Sequence, residues 1–195
     1  MTLTRATVLV LAGLLAFAAA TSPAQDPLPS HGTTGVRAPS PHAARASAAG
    51  ISWSVPESWS EGQGSAMRVA TYVVPAAGEA EPGECAVFYF GRGQGGGVDA
   101  NVQRWARQFK EKPTPRPERR TVSGVAVTLV DVAGTYLNPG GGMMQSQGEK
   151  PDYRLLGAIV EAPEGDVFFK LTGPWATVAS AEASFDGLID SIQKK

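Results

Sequence analysis

Histidine is confined to the start of this chain. Both copies, His31 and His42, precede residue 51. Everything downstream therefore lacks Ser–His–Asp and Cys–His nucleophilic pairs and any histidine proton shuttle. Cysteine is down to one, Cys85. One thiol cannot form an internal disulfide, and without histidine it cannot complete a zinc site. An excess of one charge is missing too: the formal net charge is −1, which argues against a nucleic-acid binder. No D-x-D-x-D-G calcium loop occurs. No cofactor, no metal and no catalytic constellation are expected. Whether the chain is an enzyme stays open, with the balance toward a non-enzymatic role.

What is present begins with an export signal. Arg5 supplies a short positive region, and residues 6–20 (ATVLVLAGLLAFAAA) are uncharged and apolar. That run is shorter than the roughly 20 residues of a membrane span. Small-residue cleavage sites follow at Ala18-Ala19-Ala20 and Ser22-Pro23-Ala24. The expectation is a signal peptide over 1–24, an exported (periplasmic or extracellular) protein, and no transmembrane anchor after cleavage. No cysteine lies near either site, which excludes an amino-terminal lipid anchor. Residues 25–50 are rich in Pro, Ala and Ser with almost no large apolar side chain. Such a stretch buries too little to offset its chain entropy and reads as a disordered spacer. The folded domain is then expected over 51–195. Setting aside Arg5, Arg37 and Arg45 leaves 14 of the 17 basic residues there, and setting aside Asp26 leaves 17 of the 18 acidic ones.

Within 51–195 the pattern is mostly strand. ISWSV (51–55) alternates and stops at Pro56, with Trp59 folding back onto the core. AMRVATYVV (66–74) ends at Pro75. CAVFYF (85–90) is apolar at both alternating sets of positions, as a strand covered above and below must be. Then comes a helix with its apolar stripe at Val98, Val102, Trp105 and Phe109, stopped by Pro113, Pro115 and Pro117. A hairpin turns at Ser123-Gly124, with a long second strand to about Leu137. YRLLGAIVEA (153–162) and VFFKLTG (167–173) form another hairpin. Pro174 opens a last helix whose apolar face is Val178, Ala181, Phe185, Leu188, Ile189 and Ile192. Hairpin-linked strands with one helix in the middle and one at the end predict an α+β fold. This is an αβα sandwich with a largely antiparallel central sheet of about six to seven strands and two main helices.

Four features invite a functional reading. Gly91, Gly93 and Gly96 spell G-x-G-x-x-G between a strand and a helix, the setting of a dinucleotide fingerprint. The acidic residue expected after a following parallel strand is absent, so the glycines read as a hinge, and the helix start beside Arg92 as an anion site. This turn and the loop 138–152 are the candidate contact loops, through Arg92, Gln94, Gly95, Asp99, Asn101, Met143 and Met144. The two thioethers lack companion ligands and are read as an apolar plug, not a copper site. Arg104, Arg107, Lys110, Arg116 and Arg119 form a basic run, the candidate contact for an anionic surface. Cys85, on a central strand, reads as a small buried hydrophobe.

W-x-V-P-x-x-W (Trp53, Val55, Pro56, Trp59), the strand MRVATY (67–72), AVFYF, and the closing F-x-x-L-I-x-S (Phe185, Leu188, Ile189, Ser191) resemble the PsbP-like superfamily. The segments GRGQGGGVDANVQRWARQF and LVDVAGTY (129–136) resemble its uncharacterised exported bacterial branch. The resemblance implies an αβα sandwich, and binding or assembly roles more often than catalysis; it carries over no functional residue. The expected function is an exported, non-enzymatic accessory domain that contacts a protein partner through its glycine-rich loops. The alternative is a small-molecule or anion-binding domain, with carboxylate-based chemistry open to it and a pocket at the start of the first helix.

Overall fold

A computed structural model describes residues 44–137 and 148–195. The expected signal peptide, most of the spacer, and the candidate contacts Met143 and Met144 lie outside the described residues. Ten strands and two helices occupy the described part: β1 (Arg45–Ala48), β2 (Ile51–Ser54), β3 (Ser60–Glu61), β4 (Arg68–Val74), β5 (Gly83–Tyr89), α1 (Val98–Ala106), β6 (Glu118–Val122), β7 (Val125–Tyr136), β8 (Lys150–Val160), β9 (Val167–Pro174), α2 (Trp175–Asp190) and β10 (Gln193–Lys194). Seven strands form one antiparallel sheet in the order β3-β4-β5-β9-β8-β7-β6. The expected α+β fold is the observed one.

β5 shows why the sheet is covered on both sides. Cys85 and Val87 face the α2 core with Phe169, Leu171, Val178, Phe185 and Ile189. Phe88 faces the α1 core with Val102, Trp105, Phe109, Ile159 and Phe168. The period of two places alternate residues in different cores. Cys85 is fully buried, and that burial pushes its thiol pKa up, leaving an inert packing residue.

The α2 face carries a second layer, the small sheet β1-β2-β10. Trp53 of β2 meets Phe169 edge-on, with ring centroids 5.1 Å apart, and its indole N–H donates to the Tyr72 hydroxyl at 3.1 Å. β1 corrects the expected boundary at residue 51, since the fold already includes Arg45–Ala48. Those four residues are small or polar and earn no place by apolar bulk. Their order comes from backbone pairing with β2, with Ala46 and Ala48 packed on the core.

Three other boundaries differ from expectation. α1 stops at Ala106, and Phe109 is buried from the turn that follows, where it bridges Tyr136 of β7. Pro174 is the last residue of β9 and the N-cap of α2, one step before the first helical turn. β10, not expected at all, is two residues long and held by its pairing with β2. The Ser123-Gly124 hairpin is as expected, both residues having positive φ (48° and 73°), which suits the right-handed twist of the flanking strands.

Candidate functional site

The glycine turn is built into the fold. Asn101, buried in the first turn of α1, points its amide nitrogen at the carbonyl oxygens of Gly95, Gly96 and Gly97, at 3.0, 3.1 and 3.0 Å. Gly95 has φ +89°, and a Cβ there would lie 2.9 Å from the rings of both Phe90 and Phe168. The turn also rests on the β8–β9 hairpin, where Tyr89 donates to the Glu164 carbonyl at 2.8 Å. An anion site needs N–H groups converging on a space; here three carbonyls converge on a side-chain amide. Arg92, Gln94 and Asp99 are exposed, and neither concavity described below includes them. Neither of these concavities lies at the start of α1, where the alternative reading expected a pocket. Asn101 is a structural clamp. Asn101→Ala is expected to cost about 1 kcal/mol, the net worth of the side-chain hydrogen bonds lost. Faster amide exchange across 95–97, with β9 unaffected, is the measurement that checks it.

The basic run is spread over separate local partners. Lys110 pairs with Glu149 at 2.8 Å, Arg119 lies 4.0 Å from Asp99, and Arg104 reaches the Gly95 carbonyl at 3.4 Å. Arg107 is exposed. Arg116 lines a small concavity of about 230 Å³ between β6, β7, β8 and α2. Two of its lining carboxylates hold Arg154, Asp131 bidentately (2.9 and 2.7 Å) and Glu182 at 2.8 Å. Arg120 lies 3.1 Å from Asp190, but off the alignment of a hydrogen bond, so that contact is purely an ion pair. These charges bolt α2 to the sheet.

The larger concavity, about 760 Å³, opens on the face that α1 covers only in part. The buried side chains of α1 meet β7, β8 and the Phe168 end of β9. Toward β4 and β5 α1 does not reach, and among the described residues the floor is formed by Ala86 and Phe88 of β5 and Lys170 and Thr172 of β9. Tyr136 and Tyr153 stand along one wall with their rings stacked, 5.9 Å apart and 6° from parallel. The loop before β4 (63–67) forms the opposite wall.

Three cations and two carboxylates line this cavity, leaving one positive charge in excess. Arg68 pairs with Glu84 at 2.9 Å, and Lys150 with Glu81 at 2.8 Å. The Tyr153 hydroxyl donates to Glu81 at 2.7 Å and accepts from Lys150 at 3.1 Å. The hydrogen bonds from Lys150 and Tyr153 hold the Glu81 carboxyl below its usual range, and the same Glu81 contact raises the Lys150 ammonium.

Lys170 is the exception. No carboxylate lies within ion-pair distance among the described residues; its ammonium donates to the Tyr136 hydroxyl at 3.0 Å and sits 5.3 Å from that ring's centroid. Loss of solvation pulls its pKa down to about 8; the Glu84 charge opposes this in part, and the nearby Arg68 adds a smaller downward push. Burial, with the Glu84 charge, raises the Tyr136 phenol to about 12. Two residues along β9, the Thr172 hydroxyl oxygen is shielded from solvent and has no hydrogen-bond partner among the described residues.

None of these cavity residues was singled out from sequence, although a signal existed. Lys170 interrupts VFFKLTG at the same alternating position as Phe168, in a strand expected to be covered on both faces. A lysine there must find either a partner or a cavity.

Among the described residues no group of three or more His, Cys, Asp or Glu side chains could hold a metal ion, and no helix is long and apolar enough to cross a membrane. No protein-family model matches the chain, and no curated protein matches it. Among solved structures, the crystal structure of a protein of unknown function from Pseudomonas aeruginosa is similar, with a TM-score of 0.39 and 17% identity over 77% of this chain and 95% of that one.

Proposed function

We propose that this chain is an exported ligand-binding domain of PsbP-like architecture, and that its ligand is a small organic anion held in the Lys170 cavity. One observation carries the reading: a lysine with no carboxylate partner among the described residues, in the floor of a roomy, aromatic-lined cavity whose lining charges sum to one positive. A desolvated cation is costly unless paired, and a carboxylate-bearing ligand supplies the missing partner. The flat faces of Tyr136, Tyr153 and Phe88 suit a planar or apolar remainder. The leader-like first 24 residues support export.

The test is calorimetric titration with benzoate, using benzamide as its uncharged counterpart. Benzoate is expected to bind and benzamide to bind at least tenfold more weakly, with Lys170→Met abolishing the difference. Equal affinity for the two, or benzoate binding unchanged in the variant, would sink the proposal.

A protein partner is the second reading, and it rests on a different surface from the glycine turn. Met67, Val69 and Val73 are exposed on or beside β4, whose outer side pairs only with the two-residue β3. That short cover leaves an apolar strip of the kind protein contacts use.

A further inference from the structure

We infer that Lys170 captures the carbonyl group of a small oxo acid as an imine, with Tyr136 carrying the protons. The inference rests on the Lys170 cavity as the binding site and names the chemistry of its ligand.

Placement comes first. The amine sits in the floor of a cavity of about 760 Å³, large enough for an oxo acid beside it. Its one hydrogen-bond partner among the described residues is a phenol oxygen at 3.0 Å. The charged and titratable groups facing it are Arg68 from β4, Glu84 from β5, Tyr136 from β7, Lys150 and Tyr153 from β8, and Glu81 from the loop before β5. Both carboxylates in that set already hold other cations, at 2.9 and 2.8 Å. With Lys170 as the free amine, Arg68 and Lys150 are the cations of the cavity left to receive the carboxylate of an oxo acid.

Reactivity follows from the same surroundings. An amine must lose its proton before it can attack a carbonyl. With Lys170 pulled down to about 8, roughly one molecule in ten carries the free amine at pH 7, against about one in a few thousand for an ordinary lysine. Tyr136, raised to about 12, keeps its proton across the neutral range. It therefore serves as a donor, and its hydroxyl already touches the nucleophile.

The step balances without an oxidant or reductant. The nitrogen lone pair of Lys170 forms a bond to the carbonyl carbon, and the carbonyl π pair moves to oxygen. That oxygen takes the Tyr136 proton, and the resulting phenolate recovers one from the ammonium nitrogen. The carbinolamine hydroxyl then leaves as water with a second proton from Tyr136. The nitrogen lone pair closes the C=N bond, and the remaining N–H proton returns to the phenolate. Amine plus carbonyl gives imine plus water.

Trapping tests this on the full chain. The protein is incubated with glyoxylate and cyanoborohydride, digested, and mapped by mass spectrometry. Lys170 is expected to label at least tenfold faster than Lys110, Lys112, Lys150 or Lys194, with a rate that rises through a midpoint near pH 8. Lys170→Arg keeps the charge and is expected to show no preferred site. Tyr136→Phe is expected to slow labelling of Lys170 about tenfold. Labelling spread evenly over the lysines, or a Lys170 midpoint near that of an ordinary lysine, would overturn the inference. Benzoate binding alongside even labelling removes the imine and leaves the anion site; absence of both removes the site as well.

Discussion

Replacing Lys170 by methionine is expected to stabilise the domain while emptying its site. Methionine is of similar length and carries no charge, so the variant keeps the packing against β5 and β8 and drops the cost of a desolvated ammonium. Tyr136 keeps a hydrogen bond through Gln108, whose side-chain oxygen is 3.4 Å from its hydroxyl. The fall from 10.5 to about 8 corresponds to about 3 kcal/mol at ~1.36 kcal/mol per unit. Partial exposure reduces the gain, so about 1–3 kcal/mol is expected in urea denaturation at pH 7.

The pH dependence separates this from a simple packing effect. The folded protein binds the Lys170 proton less tightly than the unfolded chain does. The destabilisation is therefore fully present below pH 8 and is relieved as pH rises from about 8 toward 10.5. Wild-type stability is expected to climb relative to the variant across that window, so the gap between them narrows. Above pH 10 the raised phenols of Tyr72, Tyr136 and Tyr153 act in the opposite sense: the unfolded chain ionises first and both proteins lose stability. A variant less stable than wild type at pH 7, or a gap indifferent to pH between 8 and 10, would contradict a desolvated charge at this position. Retaining a group that costs stability is the usual mark of a functional site.

Gly157→Ala is expected to be the most damaging single methyl in the domain, costing about 3–5 kcal/mol. Gly157 lies in β8, paired to Val130 on one side and Lys170 on the other. The ring of Trp105 lies directly on its Cα, and a Cβ would fall inside the Trp105 ring atoms. Strand backbone cannot yield, so the ring must. Trp105 is 5% exposed and anchors the short helix α1 to the sheet. Displacing it combines an overpacking cost of about 1–3 kcal/mol with lost burial of a large aromatic. A fall in Tm of roughly 10 °C is expected for a domain of this size. Shrinking the ring supplies the control. Trp105→Leu in the Gly157→Ala background is expected to recover about 1–2 kcal/mol relative to the sum of the two single changes. Additive losses would show that the ring is not what the methyl meets.

Local chemistry was enough for many elements. The Ser123-Gly124 turn, the two-faced apolar run of β5, and the stripes of α1 and α2 depend on residues within one turn or one strand repeat. Backbone sterics and the periods of 2 and 3.6 make those features readable along the chain. The same periodicity put Cys85 in the core and marked a sheet covered on both sides. Short elements were lost where that signal fails. β1 has no large apolar residue, and β10 is two residues long; each exists only because β2 offers it a hydrogen-bonding edge.

The site belongs to the other category. Glu84, Tyr136, Tyr153 and Lys170 come from four strands, and only the order β5-β9-β8-β7 brings them onto one floor and wall. The sequence pointed to the glycine turn as a partner contact, with a pocket at the start of α1 as the alternative. The folded chain fills that turn with Asn101. The cavity lies instead where α1, ending at Ala106, does not cover the sheet. How much of a face a helix covers depends on where packing stops it, and a lysine's proton affinity depends on how much water the finished fold removes. Sequence by itself determined the longer elements and the two-sided sheet, since those follow from near neighbours. Only the tertiary structure decided which half of that sheet α1 leaves uncovered, and that Lys170 lies there.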